Sequence, residues 1–402
     1  MEKRLIEKNG DYISPLGFGA MRLPIDKEYE KSIELLREGI DKGINYIDTA
    51  FFYGFGKNEK FIGEALKNGY RNKVKIATKI PAFSIKKREE MDEYLNKELE
   101  LLNTDYIDYY YLHSIDLKVL KRLKKKGIFK FLDKAKKDGK IKNACFSYHG
   151  KADELREIID TYDWDGILIQ FNYFDENIQV KYEDIQYAHS KGLGIFIMEP
   201  LKGGLLSKLP KEAEEIFKKE NSDLSPADWA FSWLYNIPEI TCVLSGMKNK
   251  EEIEENIKIA ETVKPNSLSN KELETIKKVK NIMQEKLPIN CSSCGYCMPC
   301  KYGVDIPKAF QMVNEEHLFN EKHIENQIKY ILTLGGVYNE PSNAGLCTQC
   351  NKCIPLCTQG LNIPKELEKV KKEYEKPGYN QLLWLIKHIA YPIFNKYIEY
   401  KR

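Results

Sequence analysis

Eight of the ten cysteines in this 402-residue chain lie in two short runs. The runs are Cys291, Cys294, Cys297, Cys300 and Cys347, Cys350, Cys353, Cys357. The first three cysteines of each run are spaced C-x2-C-x2-C, so one tight loop can direct three thiolates onto three irons of a single cubane cluster. The spacing therefore predicts two [4Fe-4S] clusters and an electron-carrying segment.

Each predicted cluster needs a fourth ligand from outside its first three cysteines. In two-cluster ferredoxins the fourth ligand comes from the other run. That arrangement would give one cluster Cys291, Cys294, Cys297 and Cys357, and the other Cys347, Cys350, Cys353 and Cys300. Zinc sites are the alternative, but zinc favours two C-x2-C pairs separated by a longer loop. Disulfides are disfavoured because residues 1–10 contain no apolar export signal, and we expect a cytoplasmic protein.

Length and charge bound the remaining possibilities. The chain is long enough for a barrel-sized domain and a small second domain, and we place boundaries at 1–287, 288–368 and 369–402. The net charge is only +3 although 31% of the residues are charged, which gives no indication of a nucleic-acid partner. No uninterrupted apolar run is long enough to span a membrane, so no transmembrane segment is expected.

Short β-branched or aromatic runs alternate with amphipathic charged stretches over the first 260 residues. The predicted strands are 16–21, 44–48, 74–79, 106–112, 141–146, 166–171, 194–198 and 240–244. Eight such strands separated by helices predict an α/β fold, a closed (β/α)8 TIM barrel, and an open doubly wound sheet is the alternative. The G-x-G-x-x-G turn of an open dinucleotide-binding sheet is missing, which favours the barrel.

The cysteine-rich region has a helical pattern. Residues 306–314 and 321–334 have helical periodicity, which predicts an all-α two-cluster ferredoxin domain. Two similar segments follow the cysteine runs, Val304-Asp305-Ile306-Pro307 and Leu361-Asn362-Ile363-Pro364. They indicate an internal repeat in which each proline begins a helix. The segment 381–398 predicts an amphipathic helix that packs on protein, with a membrane-surface helix as the alternative.

Four polar residues stand at the ends of successive predicted strands: Asp48 and Tyr53 after the second, Lys79 closing the third and His113 closing the fourth. Barrel enzymes place catalytic groups at this edge. Reduction of a carbonyl leaves negative charge on oxygen that an acid must neutralise. A tyrosine, with an ordinary pKa near 10, becomes a useful acid when a nearby cation stabilises its phenolate. The pattern therefore predicts Tyr53 as proton donor, with Lys79 held by Asp48 and His113 orienting the carbonyl.

The segments around these four residues form a longer sequence pattern. It consists of Asp48-Thr49-Ala50-Phe51-Phe52-Tyr53-Gly54, then Glu59, Gly63, Ala65 and Leu66, then Lys79, and then Asp105-Tyr106-Ile107-Asp108 followed by His113. From residue 1 to about 265 the chain resembles the aldo/keto reductase family. The resemblance implies a barrel with a catalytic tetrad and NAD(P)-linked interconversion of a small carbonyl compound and its alcohol.

The same resemblance implies a set of nicotinamide-nucleotide contacts. They are Ser147, Gln170, Pro200, Leu201, Gly203, Ser245, Gly246, Lys248, Glu255 and Asn256. The chain departs from the family pattern at Tyr148, where Asn is usual, and at Met198, where an aromatic ring usually stacks on nicotinamide. Glu252 stands where the family often has an Arg that grips the 2′-phosphate of NADP. A carboxylate would repel that phosphate, so we expect NADH slightly in preference to NADPH.

A barrel of this kind joined to a two-cluster domain resembles a subgroup of iron-sulfur oxidoreductases. Hydride transfer moves two electrons whereas a cluster moves one, so a redox partner such as a ferredoxin or a flavoprotein is expected. Two alternatives stay open: an electron-transfer subunit whose barrel is a docking scaffold, and clusters that are purely structural. His149, just past a strand end, is a further candidate for substrate contact, and Cys145 and Cys242 are predicted to be buried strand residues.

Overall fold

The computed structural model of the protein describes residues 1–150, 152–337 and 340–390. The contacts within the chain divide it into two compact units. The first comprises Met1–Lys202 and Asn221–Ile276, and the second comprises Gly203–Glu220 and the chain from Lys277 onward. The sequence-based boundaries after residues 287 and 368 stay predictions.

Eight parallel strands close into a barrel in the first unit. The strands of the chain are β1 (Arg4–Ile6), β2 (Asp11–Ile13), β3 (Leu16–Gly19), β4 (Tyr46–Asp48), β5 (Lys75–Ile80), β6 (Ile107–Ile115), β7 (Ile141–Tyr148), β8 (Gly166–Gln170), β9 (Gly194–Met198) and β10 (Cys242–Ser245). The barrel order is β10-β3-β4-β5-β6-β7-β8-β9, and β10 pairs with β3 as well as with β9. The predicted closed barrel is thus confirmed, and closure excludes the open sheet.

Helices cover the barrel because each presents an apolar face to the strands. They are α1 (Tyr29–Asp41), α2 (Asn58–Ala65), α3 (Glu89–Leu102), α4 (Leu117–Lys125), α5 (Ile128–Lys137), α6 (Leu155–Ile159), α7 (Tyr182–Ser190), α9 (Pro226–Tyr235) and α10 (Lys250–Thr262). Between α7 and α9 lies α8 (Lys211–Glu220), which belongs to the second unit, and α11 (Asn270–Lys286) crosses the division between the units. The outward-facing strand residues and the buried helix residues form one apolar core.

The inside of the barrel is filled by aromatic side chains. Tyr46 stacks on Phe196 at 4.4 Å between ring centroids, and its hydroxyl lies 2.7 Å from that of Tyr111. Cys145 and Cys242 are fully buried in this layer, as predicted. The interior is thus a packed core, and barrel enzymes with such a core place their sites at the carboxyl ends of the strands.

A two-stranded antiparallel hairpin, β1 and β2, precedes the barrel and was missing from the predicted strands. Its strands have three residues each, too short for a clear alternation of apolar and polar residues. Asp11 accepts hydrogen bonds from the Tyr109 hydroxyl at 2.7 Å and the Lys75 ammonium at 2.5 Å. Lys75 is the first residue of β5, so the hairpin covers the amino ends of the strands.

The second unit contains a small helical core. Its helices after α11 are α12 (Ile306–Phe319), α13 (His323–Leu334), α14 (Ile363–Tyr374) and α15 (Tyr379–Leu385), followed by a π-helical turn at Ile386–Ala390. Both α12 and α14 begin with a capping side chain followed by Ile-Pro: Asp305 accepts from the Lys308 N–H, and Asn362 accepts from the Lys365 N–H. The predicted repeat is confirmed by these matched helix starts.

The predicted amphipathic helix over 381–398 lies only partly within the described residues, since 391–402 are outside them. In the described part, Leu382, Leu385 and Ile389 are 37–46% exposed. Among the helices of the described part of the chain, none is long and apolar enough to cross a membrane.

Candidate active site and cluster sites

A buried ion pair lies at the carboxyl ends of two neighbouring strands. The Lys79 Nζ of β5 is 2.7 Å from both carboxylate oxygens of Asp48, the last residue of β4. The same ammonium donates to the Thr49 carbonyl at 2.7 Å. Lys79 is 1% exposed and Asp48 is 3% exposed. Burial raises the pKa of Asp48 and lowers the pKa of Lys79, and the attraction between their charges opposes both shifts.

Tyr53 reaches this pair from the turn after β4. The turn Tyr53–Gly56 is a 3-10 turn in which Gly54 and Phe55 have φ of 57° and 54°. This backbone directs the Phe55 ring into solvent and leaves Tyr53 half-buried. The Lys79 ammonium lies 4.7 Å from the centroid of the Tyr53 ring. A cation at this distance favours the negatively charged form of a phenol.

His113 is the fourth member of the predicted tetrad, and the structure places it beside Tyr53. Their ring centroids are 5.9 Å apart at an interplanar angle of 82°. The strand does not end at His113 as predicted, because β6 continues to Ile115 with a register shift after Leu112. Ser114 has φ of 55° at this irregularity, and such a backbone changes the direction of the last strand residues at the barrel mouth.

The imidazoles at the mouth are held neutral. Burial, then the Lys79 charge and then His149, lower the pKa of His113 well below its ordinary value. Burial and the Lys79 charge lower the pKa of His149 to about 4. Both rings are therefore uncharged at neutral pH, and His149 is close enough to His113 for the two to interact. A neutral imidazole can donate a hydrogen bond to a carbonyl oxygen without competing as a strong acid.

Aromatic side chains form one wall of the mouth. The Phe83 ring lies 6.2 Å from that of His113 and 5.8 Å from that of Phe52. Phe52 and Phe83 are 45% and 44% exposed, so both rings present apolar surface to solvent. This wall suits a substrate with an apolar portion next to its polar reacting group.

Two buried carboxyl groups lie behind the ion pair. Glu59 of α2 accepts from the Thr78 hydroxyl at 2.5 Å, and Glu98 of α3 accepts from the Tyr110 hydroxyl at 2.5 Å. Neither side chain is exposed. The helices approach closely at Gly63, where a Cβ would lie 2.5 Å from the carbonyl oxygen of the facing helix. Burial raises the pKa of Glu59 to about 7, and burial with the charge of Glu59 raises the pKa of Glu98 well above its ordinary value.

Ser147 and Gln170 lie at the ends of β7 and β8, where the sequence predicts contacts to a carboxamide. The Ser147 hydroxyl accepts from the Ser114 N–H at 2.8 Å. The Gln170 amide nitrogen donates to Asp175 at 2.9 Å, and its oxygen accepts from Gln179 at 3.2 Å. The protein itself thus occupies part of the hydrogen-bonding capacity expected for a cofactor.

Sequence reasoning missed the ion pair that engages Gln170. The Lys202 ammonium lies 2.7 Å from both oxygens of Asp175, and neither side chain is appreciably exposed. Lys202 has φ of 48° and Glu199 has φ of 55°, so the chain after β9 bends sharply. In the sequence, this ion pair is indicated only by a lysine within the otherwise apolar and glycine-rich segment Pro200-Leu201-Lys202-Gly203-Gly204. Gly203, the first residue of the second unit, has φ of 69°.

The predicted adenosine loop follows β10. The Asn256 amide donates to the Ser245 hydroxyl at 2.8 Å, which ties the start of the loop to α10. Glu252 accepts from the Lys248 N–H at 2.8 Å, and Asn249 caps the helix. A carboxylate therefore lies beside the amino end of α10, where a phosphate would otherwise be favoured. Glu255 is exposed on the outer side of the first turns of α10.

Arg22 is a second residue that sequence reasoning missed. Its side chain lies against Gly246, where a Cβ would be 3.5 Å from the Arg22 Cβ. Its Nη2 is buried and has no hydrogen-bond partner among the atoms that the structure describes. A buried guanidinium nitrogen that lacks an acceptor, next to a predicted nucleotide loop, fits an anionic ligand.

The cysteines of the second unit form two groups, each drawn from both runs. The side chains of Cys291, Cys294, Cys297 and Cys357 line one small cavity. The other group consists of Cys347, Cys350, Cys353 and Cys300. Burial raises the pKa of Cys353, and the thiols of Cys347, Cys350 and Cys300 lie close enough to raise it further. Burial and the thiols of Cys294, Cys291 and Cys357 raise the pKa of Cys297 to about 12. All ten cysteines lie within the described residues, and no disulfide bond joins any two of them.

The surroundings of the first group fit a cubane cluster. The backbone N–H groups of Ser293 and Leu361 donate to the sulfurs of Cys291 and Cys357 at 3.3 and 3.4 Å. Apolar side chains of both helix starts, including Ile306 and Ile363, complete the cavity. Four thiols with N–H donors in an apolar pocket are what a [4Fe-4S] cluster needs. Four cysteines can also bind zinc, but three of them at C-x2-C-x2-C spacing are typical of a cluster.

Comparison with known proteins gives the family context of both units. The sequence model of the aldo/keto reductase family matches residues 15–281, and that of the 4Fe-4S dicluster domain matches residues 290–362. The chain is 26% identical over 302 residues to the uncharacterized oxidoreductase YqkF of Bacillus subtilis, covering 65% of this chain and 91% of the relative.

Solved structures share the fold of the barrel. The holo form of aldo-keto reductase AKR11C1 from Bacillus halodurans aligns with a TM-score of 0.59 at 24% identity, covering 69% of this chain and 96% of that one. An aldo-keto reductase from Klebsiella pneumoniae in complex with NADPH aligns with a TM-score of 0.58 at 20% identity, covering 70% and 95%.

The buried pair Glu59 and Glu98 predicts a pH-dependent stability. The folded pKa of Glu59 is about 7 against an ordinary 4.5, so folding takes up a proton between these values. The free energy of unfolding should fall by about 3 kcal/mol as the pH rises through this window. That figure is the contribution of Glu59 alone, and Glu98, whose pKa is also raised, adds to the fall in the same window and continues it to higher pH. Glu98→Gln keeps a hydrogen-bond acceptor for Tyr110 and removes one titrating carboxyl group. The free energy of unfolding, measured by anaerobic denaturant titration, should therefore fall less steeply with pH than in the wild-type protein.

Tryptophan fluorescence reports the barrel in this experiment, since Trp164, Trp229 and Trp233 lie in the first unit and Trp384 alone lies in the second. Glu100→Gln, an exposed change on the same helix, is the matched control and should leave the profile unchanged. Identical pH profiles for the wild-type protein and Glu98→Gln would contradict the assignment.

Proposed function

Because the chain belongs to the aldo/keto reductase family, we propose that it interconverts a small carbonyl compound and its alcohol, with Tyr53 transferring the proton. The observation that carries this proposal is the Lys79 ammonium 4.7 Å from the Tyr53 ring and 2.7 Å from Asp48. In the reducing direction the Tyr53 hydroxyl gives its proton to the carbonyl oxygen, and the ammonium stabilises the phenolate left behind. In the oxidising direction the phenolate takes the alcohol proton back.

The other two members of the tetrad position the reacting groups. Asp48 fixes the ammonium, because loss of its two hydrogen bonds would leave a buried charge unpaired. His113 remains neutral through burial and the Lys79 charge, so it donates a hydrogen bond that orients the carbonyl oxygen. The Phe52 and Phe83 rings would hold the apolar part of the substrate.

A bound nicotinamide would supply or accept the hydride. Ser147, Gln170, Pro200, Leu201 and Gly203 are the residues proposed to hold its ring, and Ser245, Gly246, Lys248, Glu255 and Asn256 the residues proposed to hold its adenosine. We propose that Arg22 also contacts the adenosine part, because its side chain lies beside Gly246 and its buried Nη2 lacks a hydrogen-bond partner among the described atoms. NADH is proposed in slight preference to NADPH because Glu252 places a carboxylate at the amino end of α10.

The second unit is proposed to hold two [4Fe-4S] clusters, one on Cys291, Cys294, Cys297 and Cys357, and one on Cys300, Cys347, Cys350 and Cys353. When bound, such clusters carry single electrons at low potential. We propose that they exchange electrons with a ferredoxin or a flavoprotein. Cysteines that bind clusters have to stay reduced, so we propose a reducing compartment, the cytoplasm.

Removal of the Tyr53 hydroxyl tests the proton-transfer role. Tyr53→Phe should lower kcat for small aldehydes by about 10²- to 10⁴-fold, the usual contribution of a positioned acid, with nicotinamide affinity unchanged. Turnover and cofactor titration of the anaerobic holoprotein measure the two quantities. The control is Tyr12→Phe, an exposed tyrosine of the hairpin at the opposite end of the barrel.

Full activity in Tyr53→Phe would exclude the acid role. If the wild-type protein bound neither nicotinamide cofactor, the alternative of an electron-transfer subunit with a docking barrel would replace the proposal.

The choice between NADH and NADPH depends on Glu252. Glu252→Gln removes one negative charge near the site proposed for the 2′-phosphate, and it should raise the affinity for NADPH relative to NADH by about 5- to 10-fold, or about 1 kcal/mol. Dissociation constants for both cofactors give this ratio directly. Glu251→Gln, an exposed neighbour, should leave the ratio unchanged. A ratio that does not move in Glu252→Gln would remove the reason for the preference.

Pairs of cysteine substitutions test how the runs share the clusters. With the proposed ligand sets, Cys294→Ser with Cys357→Ser affects one cluster, so about four of eight irons should remain. Cys294→Ser with Cys300→Ser affects both clusters and should leave fewer. Iron and sulfide analysis of anaerobically purified protein distinguishes the two. The reverse order of iron contents would show that each run binds its own cluster.

A further inference from the structure

Two of the six histidines in the chain lie beside two glutamates where three helices of the second unit meet. Glu316 is near the end of α12, His323 is the first residue of α13, and Glu373 is near the end of α14. One potential metal-binding atom from each of these residues lies within 4.8 Å of the other two. His317 approaches the same cluster, with its Nε2 3.0 Å from a Glu373 oxygen.

The internal repeat brings the two carboxylates to equivalent positions. Glu316 stands ten residues after Ile306, and Glu373 stands ten residues after Ile363, the first residues of α12 and α14. At 1.5 Å per residue, both carboxylates stand about 15 Å along their helices from the cysteine-bearing starts. The cluster is therefore separate from the thiol groups and belongs to the opposite ends of both helices.

The charges at this cluster are not balanced by the usual cations. The chain contains 63 lysines and arginines, yet within the described residues neither Glu316 nor Glu373 has one at ion-pair distance. Their partners are the imidazoles of His323 and His317. Glu316 is 8% exposed, so repulsion between the carboxylates is only weakly screened by water. A divalent cation would remove that repulsion.

Hydrogen bonds within the protein satisfy only part of the cluster. The His323 Nδ1 lies 2.7 Å from one oxygen of Glu316, and the Tyr374 hydroxyl donates to the other oxygen. The His323 ring stacks on that of Tyr374 at 5.6 Å between centroids. Its Nε2 is buried and lacks a partner among the atoms that the structure describes. The two nitrogens of an imidazole point in different directions, so an ion shared by Glu316 and His323 would take the place of the contact between Glu316 and Nδ1. The stacked Tyr374 ring would still hold the imidazole in position.

We propose that Glu316, His323 and Glu373 bind one divalent transition-metal ion that joins the ends of three helices. One imidazole and two carboxylates suit Zn²⁺ or Fe²⁺, since imidazole is a poor ligand for Mg²⁺ and Ca²⁺. Three protein ligands leave a position that His317 or water fills. The Tyr374 hydroxyl supports the site by holding Glu316 in place.

Zn²⁺ titration of the anaerobic holoprotein tests the proposal. Isothermal calorimetry should detect one site per chain, and Zn²⁺ should raise the midpoint of thermal unfolding. Iron and sulfide are measured before and after titration, because release of either would mean that Zn²⁺ had entered a cysteine site. His323→Ala and Glu373→Gln should each weaken Zn²⁺ binding by at least 10- to 100-fold.

Matched controls separate this site from other surface groups. Glu315→Gln changes the neighbouring carboxylate on the same helix, and His388→Ala removes an exposed imidazole of the same unit. Both should bind Zn²⁺ as the wild-type protein does. Glu373 is partly exposed, so Glu373→Gln should fold even if His323→Ala does not. Absence of a site in the wild-type protein, or unchanged Zn²⁺ affinity in Glu373→Gln with full iron content, would overturn the proposal.

Discussion

The buried ion pair between Asp48 and Lys79 is the constraint on which the candidate active site depends. Moving two charges out of water costs several kcal/mol for each ion, and only close contact with further hydrogen bonds offsets that cost. The closed barrel provides the required geometry, because β4 and β5 are adjacent and hold the two side chains 2.7 Å apart. The Thr49 carbonyl accepts one more hydrogen bond from the ammonium.

The same ammonium sets the properties of the neighbouring rings. It lies close to Tyr53, and its charge adds to burial in keeping His113 and His149 neutral. One positive charge thus favours release of a proton from the phenol while it prevents the imidazoles from acquiring one. The proposed reaction needs a proton donor at the mouth, and this difference between the phenol and the imidazoles is the reason for proposing Tyr53 in that role.

The parts of this protein that the sequence predicts are those encoded by local spacing. Short-range patterns mark the cysteine runs, the strands that carry Asp48 and Lys79 at or near their carboxyl ends, and the two Ile-Pro helix starts. The pairing of Lys202 with Asp175 depends on how β8 and β9 end side by side, which no local pattern shows. The three-residue hairpin strands and the approach of α2 to α3 at Gly63 likewise depend on tertiary contacts.

In the second unit, the proposed sharing of ligands between the two cysteine runs would couple metal binding to folding. Residues 291–300 and 347–357 each contribute cysteines to both groups, so neither group is complete until the two segments meet. The partly buried cysteines pack against the same core as Phe310 and Tyr374. Before iron is bound, four thiols in a small cavity resist ionisation, since burial and mutual repulsion raise the pKa of Cys297 to about 12. Positive charge from bound iron would favour the thiolates, and the free energy of cluster binding would then contribute to closing the helical core.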